Sequence, residues 1–564
     1  MNEVVSQIEC KKRPRCLAGH EAPVSESRIK GWYQPGDNPL LTEPAAIREA
    51  VLKTGLPFYV VMVEGGPGIG IGGRLLPEEE STGDGYPLLA WVPGITPLSL
   101  GDSDFLKAHG ASCPCVAGSM AHGISSPEMI KALAQAGILG FFGTAGLAPA
   151  MVESLILDNK EELQGKPHGF NIIHSPGEPA LEEAIINLYI RRGVSLVEAS
   201  AFMGVTLPLV RFRVRDIRQD AHGKALPCRS IMAKVSRVEV ARQFMSPPPE
   251  EMLKELVSRG EITGEQASMA REIPLACDIT LEADSGGHTD NRPAISLMPT
   301  MTALRDRLQE EYSYGEPLRI GLGGGISTPV ACAGAFSMGA SYVVTGSVNQ
   351  ACMEAGTSDG VRELLSQARQ GDMAMAPAAD MFEMGVRVQV LKRGTMFAMR
   401  ARKLYDLYNS YNSFDQIPIS DRQSIEKTFF RASFDEIWHQ TKEFFRMRDP
   451  SQGERGDREL KHRMALVFRW YLSQASHWAI SGEPSRRMDY QIWCGPAMGA
   501  FNEWTEGTFL EQWRNRRVVN VNRNIIHGAS VVARLNFLKM QGVDLYSVAR
   551  PVPLTDEELD KYSR

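Results

Sequence analysis

Short apolar runs alternate with amphipathic stretches between about residue 106 and residue 355. Each run is too short for a helix, whereas the stretches between them repeat apolar positions at helical spacing. The predicted strands are residues 113–120, 138–145, 168–175, 194–201, 229–236, 278–283, 318–326 and 341–348. Eight strand–helix repeats in sequence predict an α/β fold, a (β/α)8 TIM barrel over residues 106–355.

The segments that flank these repeats have other patterns. Residues 1–105 predict a small appended region that consists of an arm, a helix at 47–55 and a β-hairpin at 56–73. No helical pattern follows the glycines of that hairpin, which argues against a dinucleotide site. Residues 356–564 lack strand patterns and predict a large helical C-terminal domain or cap.

Cys10, Cys16 and His20 lie close together in the N-terminal arm. A fourth ligand is missing and the spacing is not that of a standard zinc motif. A mobile arm is the preferred interpretation, and no metal site is predicted.

Composition and charge exclude several functional classes. The chain has 564 residues, 43% of them hydrophobic, with a net charge of −6 and a pI near 6.1. This charge gives no general attraction to nucleic acid or to acidic membranes. An apolar signal core and long apolar runs are missing from the sequence, so we expect a cytoplasmic protein that contacts neither nucleic acid nor membrane. Nine cysteines indicate reduced thiols rather than a disulfide framework.

Small residues follow three of the predicted strands. In a TIM barrel, the loops after strands seven and eight form the usual phosphate site together with helix N-termini. The residues predicted to offer backbone N–H groups there are Gly324, Gly325, Gly346 and Ser347. After strand one, a flat ring could lie against Ala117, Gly118 and Ser119. The alternatives are plain turn glycines and ordinary small core residues.

His288 follows the sixth strand through Ser285, Gly286 and Gly287. The glycines let the backbone approach a ligand closely, and the histidine then brings a titratable ring to the end of a strand. An imidazole with an ordinary pKa near ~6.5 can donate or accept a proton at neutral pH. His288 is therefore predicted to be catalytic, with a purely binding or orienting role as the alternative.

Asn171 and Lys234 are polar residues inside predicted strands three and five. An unpaired ammonium is costly in an apolar strand, so Lys234 is predicted to face the N1 and O2 edge of a flavin, where negative charge develops on reduction. That role disappears if the side chain points outward. Asn171 could bond the same ring or only satisfy a neighbouring carbonyl. Four other histidines lack a comparable glycine frame and are not favoured: His109, His122, His168 and His174.

These motifs resemble a known superfamily. SGGH at 285–288, LGGGI at 322–326 and TGS at 345–347 match flavin-site motifs of the FMN-dependent nitronate monooxygenase (2-nitropropane dioxygenase) and enoyl reductase superfamily. Longer strings resemble the PfaD branch, the trans-acting enoyl reductases of polyunsaturated fatty acid synthases and trans-acyltransferase polyketide synthases. Among them are AGSMAHGI, EASAFMGVT, EADSGGHTDNRP, GSVNQACMEAG and DYQIWCGPAMGAFNEW. The resemblance runs from about residue 100 nearly to the C-terminus.

The resemblance implies reduction of the α,β-double bond of an enoyl thioester on an acyl carrier protein, with NADPH as co-substrate and tightly bound FMN. It implies that His288 donates the proton or orients the thioester, and that Lys234 acts at the flavin ring. The residues predicted to bind FMN are Ala117, Gly118, Ser119, Asn171, Lys234, Ser285, Gly286, Gly287, Gly323, Gly324, Gly325, Gly346 and Ser347. No Rossmann unit is present, which is consistent with NADPH docking briefly over the flavin.

The implied partners are the acyl carrier protein, with its phosphopantetheine-linked enoyl chain, and synthase modules. Between Glu383 and Asp406 the sequence has no carboxylate, and we hypothesise a docking patch for an acidic carrier there. Its basic residues are Arg387, Lys392, Arg393, Arg400, Arg402 and Lys403. A solvated helix face or an intramolecular partner for the acidic C-terminal tail is the alternative.

Two other functions stay open. A nitronate-oxidising flavin enzyme would share the barrel, the flavin and the histidine, but would not need the large helical region for a small free substrate. A non-catalytic synthase subunit would keep the barrel without redox chemistry. The sequence determines neither the pathway nor the choice of NADPH over NADH, and a homodimer stays open.

Overall fold

The computed structural model describes residues 29–76 and 85–563. Cys10, Cys16, His20 and the predicted arm lie outside the described residues. The chain divides into two compact units, one that ends at Gly94 and includes Arg534–Ala549, and one formed by Ile95–Ala533 with the segment from Arg550 onward. The predicted domain boundaries near residues 105 and 355 stay predictions.

The first unit contains a five-stranded antiparallel sheet in the order β3-β2-β5-β1-β4. Its elements are β1 (Trp32–Gln34), α1 (Pro44–Leu52), β2 (Phe58–Val63), β3 (Gly66–Gly70), β4 (Arg74–Leu76) and β5 (Tyr86–Val92). Strands β2 and β3 form the predicted hairpin, and α1 overlaps the predicted helix. Arg534 donates hydrogen bonds to the carbonyls of Lys53 and Leu56, which follow α1, at 2.6 and 2.7 Å.

The second unit is built on a closed barrel of eight parallel strands, which confirms the predicted TIM barrel. The strands, in their order around the barrel, are β6 (Cys115–Ala117), β7 (Leu139–Phe142), β8 (His168–Ile173), β9 (Leu196–Ser200), β12 (Ser230–Val235), β13 (Asp278–Glu282), β15 (Arg319–Gly323) and β16 (Tyr342–Thr345). Each lies within a predicted range. Short strands β10 (Arg218–Gln219), β11 (Ala225–Leu226) and β14 (Gly287–His288) lie in the connections.

One helix precedes the first barrel strand, and further helices follow the strands. They are α2 (Ser103–His109), α3 (Pro127–Gln135), α4 (Pro149–Asn159), α5 (Pro179–Arg192), α6 (Leu207–Val214), α7 (Val238–Met245), α8 (Glu250–Ser258), α9 (Gly264–Ala270), α10 (Ala294–Tyr312), α11 (Pro329–Ser337) and α12 (Ser347–Gln350). Ser126 caps α3, because its hydroxyl accepts the Met129 N–H at 3.1 Å and Pro127 occupies the first turn.

A buried ionic cluster closes the N-terminal end of the barrel. The Asp278 carboxylate accepts two hydrogen bonds from Arg319, at 2.7 and 2.8 Å, and lies 2.9 Å from His109 Nε2. Burial raises the pKa of Asp278, but the charge of His109 and the bonds from Arg319 outweigh it and hold the pKa well below its usual value. Phe105 stacks on Tyr342 beside this cluster, with ring centroids 4.3 Å apart. This end of the barrel is therefore sealed, and ligand access is left to the opposite end.

The predicted large helical C-terminal region is confirmed, but the expectation that it lacks strands is wrong. Strands β17 (Met373–Pro377) and β18 (Arg387–Leu391) pair in an antiparallel ribbon, and β14 joins the other edge of β18. In this ladder Gly287 lies opposite Gln389 and His288 lies opposite Val388. The C-terminal region thus holds the backbone on which His288 lies.

Helices make up the rest of the C-terminal region. They are α13 (Asp359–Ser366), α14 (Phe397–Ser410), α15 (Ile419–Ile425), α16 (Phe434–Arg448), α17 (Pro450–Arg458), α18 (Leu460–Ser481), α19 (Ala497–Thr505), α20 (Val518–Met540), α21 (Tyr546–Ala549) and α22 (Asp556–Ser563). Within the described ranges, no helix has the length and apolar character that crossing a membrane requires.

One member of the hypothesised docking patch has a structural role instead. The side chain of Arg400 is only 14% exposed and forms an ion pair with the fully buried Asp489. The same carboxylate accepts a hydrogen bond from the Tyr471 hydroxyl at 2.6 Å. Including Arg400 in an exposed docking patch was therefore wrong. The remaining basic residues of that patch are exposed: Arg387, Lys392, Arg393, Arg402 and Lys403.

Candidate active site

The C-terminal ends of the barrel strands open into a cavity of about 620 Å³. Every predicted site residue except Ala117 lines this cavity, and Ala117 is buried within β6. The structure therefore brings together residues from six barrel strands that are far apart in sequence. Their individual roles stay predictions.

The turns after β15 and β16 form a cradle of bare backbone. No atom lies within 4 Å of the position that a Cβ would take at Gly325 or Gly346. Among the described residues, no acceptor receives the N–H groups of Gly324, Gly325, Gly346 or Ser347. At Gly324 a Cβ would lie 2.8 Å from the carbonyl carbon of Ala283, so only glycine lets these loops meet. Free N–H groups on adjacent strand ends suit a phosphate.

Lys234 points into the mouth of the barrel between two carboxylates. Its Nζ lies 3.8 Å from Glu198 Oε2 and 3.7 Å from Glu282 Oε1, which are ion-pair distances longer than hydrogen bonds. Burial lowers the pKa of Lys234, but the two carboxylates outweigh it and raise the pKa above its usual value. Glu198 is fully buried, and its Oε2 also accepts the backbone N–H of Ser119 at 3.0 Å. Because the side chain points inward, the role predicted for Lys234 at a flavin ring stays a prediction.

Asn171 satisfies neighbours with its nitrogen and leaves its oxygen free. Its Nδ2 donates to the Glu198 carbonyl at 3.1 Å and to Ser200 Oγ at 3.0 Å. Within the part of the chain that the structure describes, no donor bonds Asn171 Oδ1. The two interpretations of this amide are thus compatible, because one side chain can support the strands and still accept a hydrogen bond from a ligand.

His288 is paired with Asp380, a residue that follows β17. The His288 Nε2 lies 3.1 Å from Asp380 Oδ1. Burial lowers the pKa of His288, but the charge of Asp380 and its hydrogen bond outweigh it and raise the pKa above its usual value. Burial also raises the pKa of Asp380, and the charge of His288 outweighs it and lowers that pKa. The pair therefore favours a protonated imidazole in the cavity wall.

Trp493 closes the cavity beside the glycine turns. Its ring is nearly parallel to that of His122, with an interplanar angle of 7° and centroids 5.7 Å apart. The next residues pack on the turns, since Gly495 donates its N–H to Ser347 Oγ at 3.0 Å and a Cβ at Gly286 would lie 2.9 Å from the Cys494 backbone. The C-terminal region thus completes the wall that the barrel begins.

Helices α16 and α18 provide an apolar wall on the side away from the barrel. The large side chains that line it are Phe444, Phe445, Leu466, Trp470 and Leu472. At the mouth, Arg448 of α16 forms a bidentate ion pair with Glu178, at the start of α5. The cavity therefore combines a polar floor of backbone, lysine and histidine with an apolar side that suits a hydrocarbon chain.

Comparisons with known proteins place this cavity in context. The family model for the inserted helical domain of acyl-carrier-protein S-malonyltransferase matches residues 411–490. One of the polyunsaturated fatty acid synthase subunits of Thraustochytrium is 45% identical over 78% of this chain. The polyketide biosynthesis protein PksE of Bacillus subtilis is 44% identical over 78% of this chain. The chain spans only 30% and 57% of the lengths of these two relatives.

A solved structure matches over nearly its whole length. It is the enoyl reductase domain of MlnA from the macrolactin biosynthesis cluster of Bacillus amyloliquefaciens, with 38% identity and a TM-score of 0.74. The match covers 79% of this chain and 99% of that domain. The chain belongs to this enoyl reductase family. The resemblance to enoyl reductases of polyunsaturated fatty acid and polyketide synthases that the motifs indicated is thereby confirmed.

Three residues of the cavity wall in this family member were not identified from the sequence patterns. Asp380 lies in a segment predicted to be helical, Trp493 lies about 200 residues from His288, and His122 was set aside because it lacks a glycine frame. A usable pattern was present for Asp380, since the alternation in RVQVL indicates a strand nearby. No local pattern indicated Trp493, because its position depends on the packing of the C-terminal region.

Proposed function

We propose that this protein reduces the α,β-double bond of an enoyl thioester carried by an acyl carrier protein, in polyketide or polyunsaturated fatty acid synthesis. The observation that carries the proposal is the 38% identity to an enoyl reductase domain over 99% of that domain. The relatives named as synthase subunits and polyketide biosynthesis proteins support the pathway class. We assign the reaction to the cytoplasm, with synthase modules and their carrier proteins as partners.

The residues of the cavity fit FMN. The cradle of free N–H groups at Gly324, Gly325, Gly346 and Ser347 suits its phosphate. Gly118, whose backbone faces the cavity, and the free oxygen of Asn171 suit a flat ring with polar edges. Other residues that would hold the group are Ser119, Lys234, Ser285, Gly286, Gly287 and Gly323. Ala117 is buried in β6 and supports the wall from behind.

Bound FMN would supply hydride chemistry, carrying a hydride from NADPH to the β-carbon of the enoyl group. Lys234 would hold a positive charge beside the ring, and its own charge is balanced by Glu198 and Glu282. Asp380 stabilises the protonated form of His288, and His288 donates the proton that the α-carbon needs. The stacked rings of Phe105 and Tyr342 lie at the closed N-terminal end of the barrel, opposite these groups.

The helical wall offers an apolar surface to which the acyl chain of the substrate would bind. Phe445, Leu466 and Leu472 form an apolar surface beside the polar floor, and burial of each methylene group of a chain contributes about 0.8 kcal/mol. A small free nitronate would not use this surface. The exposed basic residues between 387 and 403 remain the proposed docking surface for an acidic carrier, now without Arg400.

The test is an anaerobic absorbance measurement on the purified protein. NADPH should bleach a flavin band, and crotonyl-loaded acyl carrier protein should restore it while butyryl carrier protein forms. A band that returns only with oxygen or a nitronate would favour the oxidase, and absence of any flavin band would favour a non-catalytic subunit. Comparison of NADPH with NADH in the first step identifies the reductant.

A further inference from the structure

His122 lies in the wall of the cavity with an unusual backbone and an incomplete set of hydrogen bonds. Its φ angle is +55°, in the left-handed region that non-glycine residues seldom adopt. The loop that follows β6 places its ring against Gly146, where a Cβ would lie 2.2 Å from His122 Cε1. Strained backbone of this kind concentrates at functional sites, and the sequence offered no role for this residue.

Two aromatic contacts hold the ring in one orientation. Trp493 stacks on one face at 5.7 Å, and His477 meets the ring edge-on with centroids 5.1 Å apart. When the Gln491 amide is oriented so that its nitrogen donates to the Leu472 carbonyl at 2.8 Å, its oxygen accepts the Trp493 Nε1–H at 3.1 Å, which fixes the indole. The imidazole therefore has little freedom to turn away from the cavity.

The two ring nitrogens of His122 have different surroundings. Nδ1 is buried and has no partner among the described residues, whereas Nε2 is likewise without a protein partner but is not buried. A buried N–H without an acceptor is less tolerated than a buried lone pair, so the proton belongs on Nε2. A neutral imidazole with its N–H directed into the cavity can donate a hydrogen bond to a ligand.

The charge state of His122 follows from its neighbours. Burial and the charges of His477 and Arg448 together lower its pKa to about 4, although the charge of Asp380 opposes them. His122 is therefore a neutral donor across the physiological range and cannot be the acid that supplies a proton to carbon. His288 has the opposite character, because Asp380 favours its protonated form. The backbone beside His288 lies near the same indole as His122, since Trp493 Cδ1 is the nearest atom to a Cβ at Gly287, at 3.9 Å.

We propose that His122 is a second catalytic residue, whose Nε2–H donates a hydrogen bond to the thioester oxygen of the enoyl substrate. When hydride reaches the β-carbon, the electrons of the double bond move toward that oxygen, and a fixed donor stabilises the negative charge that develops there. His288 then delivers its proton to the α-carbon, which completes a saturated thioester. The inference rests on the proposed function. In this scheme His122 is the neutral hydrogen-bond donor and His288 is the charged acid.

The test compares two substitutions of the same residue. His122→Phe keeps a flat ring against Trp493 but removes the donor, and His122→Gln brings an amide N–H to about the position of Nε2. We expect His122→Phe to slow reoxidation of the NADPH-reduced protein by crotonyl carrier protein about 100-fold, as loss of one oxyanion donor does. His122→Gln should recover at least tenfold of this loss, and reduction by NADPH should be unchanged in both. The exposed His222→Phe serves as the matched control.

A second measurement follows the hydrogen bond without turnover. The carbonyl stretch of carbonyl-labelled crotonyl-pantetheine, bound to the oxidised protein, should move to lower frequency in the wild type and in His122→Gln, but not in His122→Phe. Equal reoxidation rates in wild type and His122→Phe, or equally slow rates in both variants, would overturn the inference. If wild-type protein is reduced by NADPH but is not reoxidised by crotonyl carrier protein, it is the proposed function that fails.

Discussion

Replacing Asp380 with asparagine should make the reaction dependent on pH in a range where the wild type is not. The carboxylate lies 3.1 Å from His288 Nε2 and raises the pKa of that imidazole. A hydrogen bond to a charged group contributes about 1.5–3 kcal/mol. The two side chains are 26% and 34% exposed, so solvent screening places this pair near the lower limit, about 1.5 kcal/mol. That value corresponds to about a tenfold difference in rate.

The sign of the effect follows from the direction of the pKa change. Because Asp380 raises the pKa of His288, the wild type keeps its acid protonated to a higher pH than Asp380→Asn does. The rates of both proteins should agree at acidic pH, where both imidazoles are protonated, and separate as pH rises. The loss in Asp380→Asn should reach about tenfold on the alkaline side.

Stopped-flow reoxidation of the reduced protein by crotonyl carrier protein, measured as a function of pH, gives both profiles. The exposed Asp406→Asn is the control for loss of a carboxylate elsewhere in the C-terminal region. In a His288→Gln background, Asp380→Asn should have no further effect, because the acid through which it acts is absent. Superimposable profiles for wild type and Asp380→Asn, or an equal loss in the His288→Gln background, would refute the reasoning.

Two further predictions concern the glycine turns after β15 and β16, where FMN is proposed to bind, and the ionic cluster at the N-terminal end of the barrel. Gly346→Ala should weaken FMN binding at least tenfold, because its Cβ would occupy the empty space above the free N–H groups, and quenching of FMN fluorescence on deflavinated protein measures this. Asp278→Asn should lower the free energy of unfolding by about 3 kcal/mol, because it leaves Arg319 buried without its counter-charge. A lower urea midpoint in circular dichroism measures that loss.

Each of these two substitutions has a matched control substitution in the same protein. Gly334→Ala also places a methyl group in open space, but on helix α11, and should leave FMN affinity unchanged. Asp306→Asn removes a carboxylate that is 62% exposed beside Arg305, and should change the free energy of unfolding by less than about 0.5 kcal/mol. Equal FMN affinity in Gly346→Ala and wild type would contradict the cradle, and equal midpoints in Asp278→Asn and wild type would contradict the ionic cluster.

The barrel could be predicted because its signals are local. Each strand is an apolar run bounded by glycine or by a helix cap such as Ser126, and the eight units follow each other in sequence. The glycines after β15 and β16 could also be identified locally, because strand ends in this fold form the ligand site whatever the rest of the chain does.

The C-terminal region resisted prediction because its structure depends on distant pairing. Strand β17, MAMAP, consists mostly of residues that favour helices, and its extended form is imposed by the ladder with β18. Arg400 lies in a basic stretch, yet it faces inward because the buried Asp489 needs a counter-charge. Asp380, Trp493 and His122 meet at one cavity only after these elements pack.

The short ladder between β14 and β18 has a consequence for how this enzyme could be recombined. The backbone of His288 is hydrogen-bonded to a strand that lies about 100 residues further along, outside the eight strand–helix repeats. A gene fragment that encodes the repeats alone would carry the glycine turns and Lys234, but it would leave His288 on an untethered loop and without Asp380. The transferable unit, for evolution and for pathway engineering alike, is therefore the barrel with its C-terminal region.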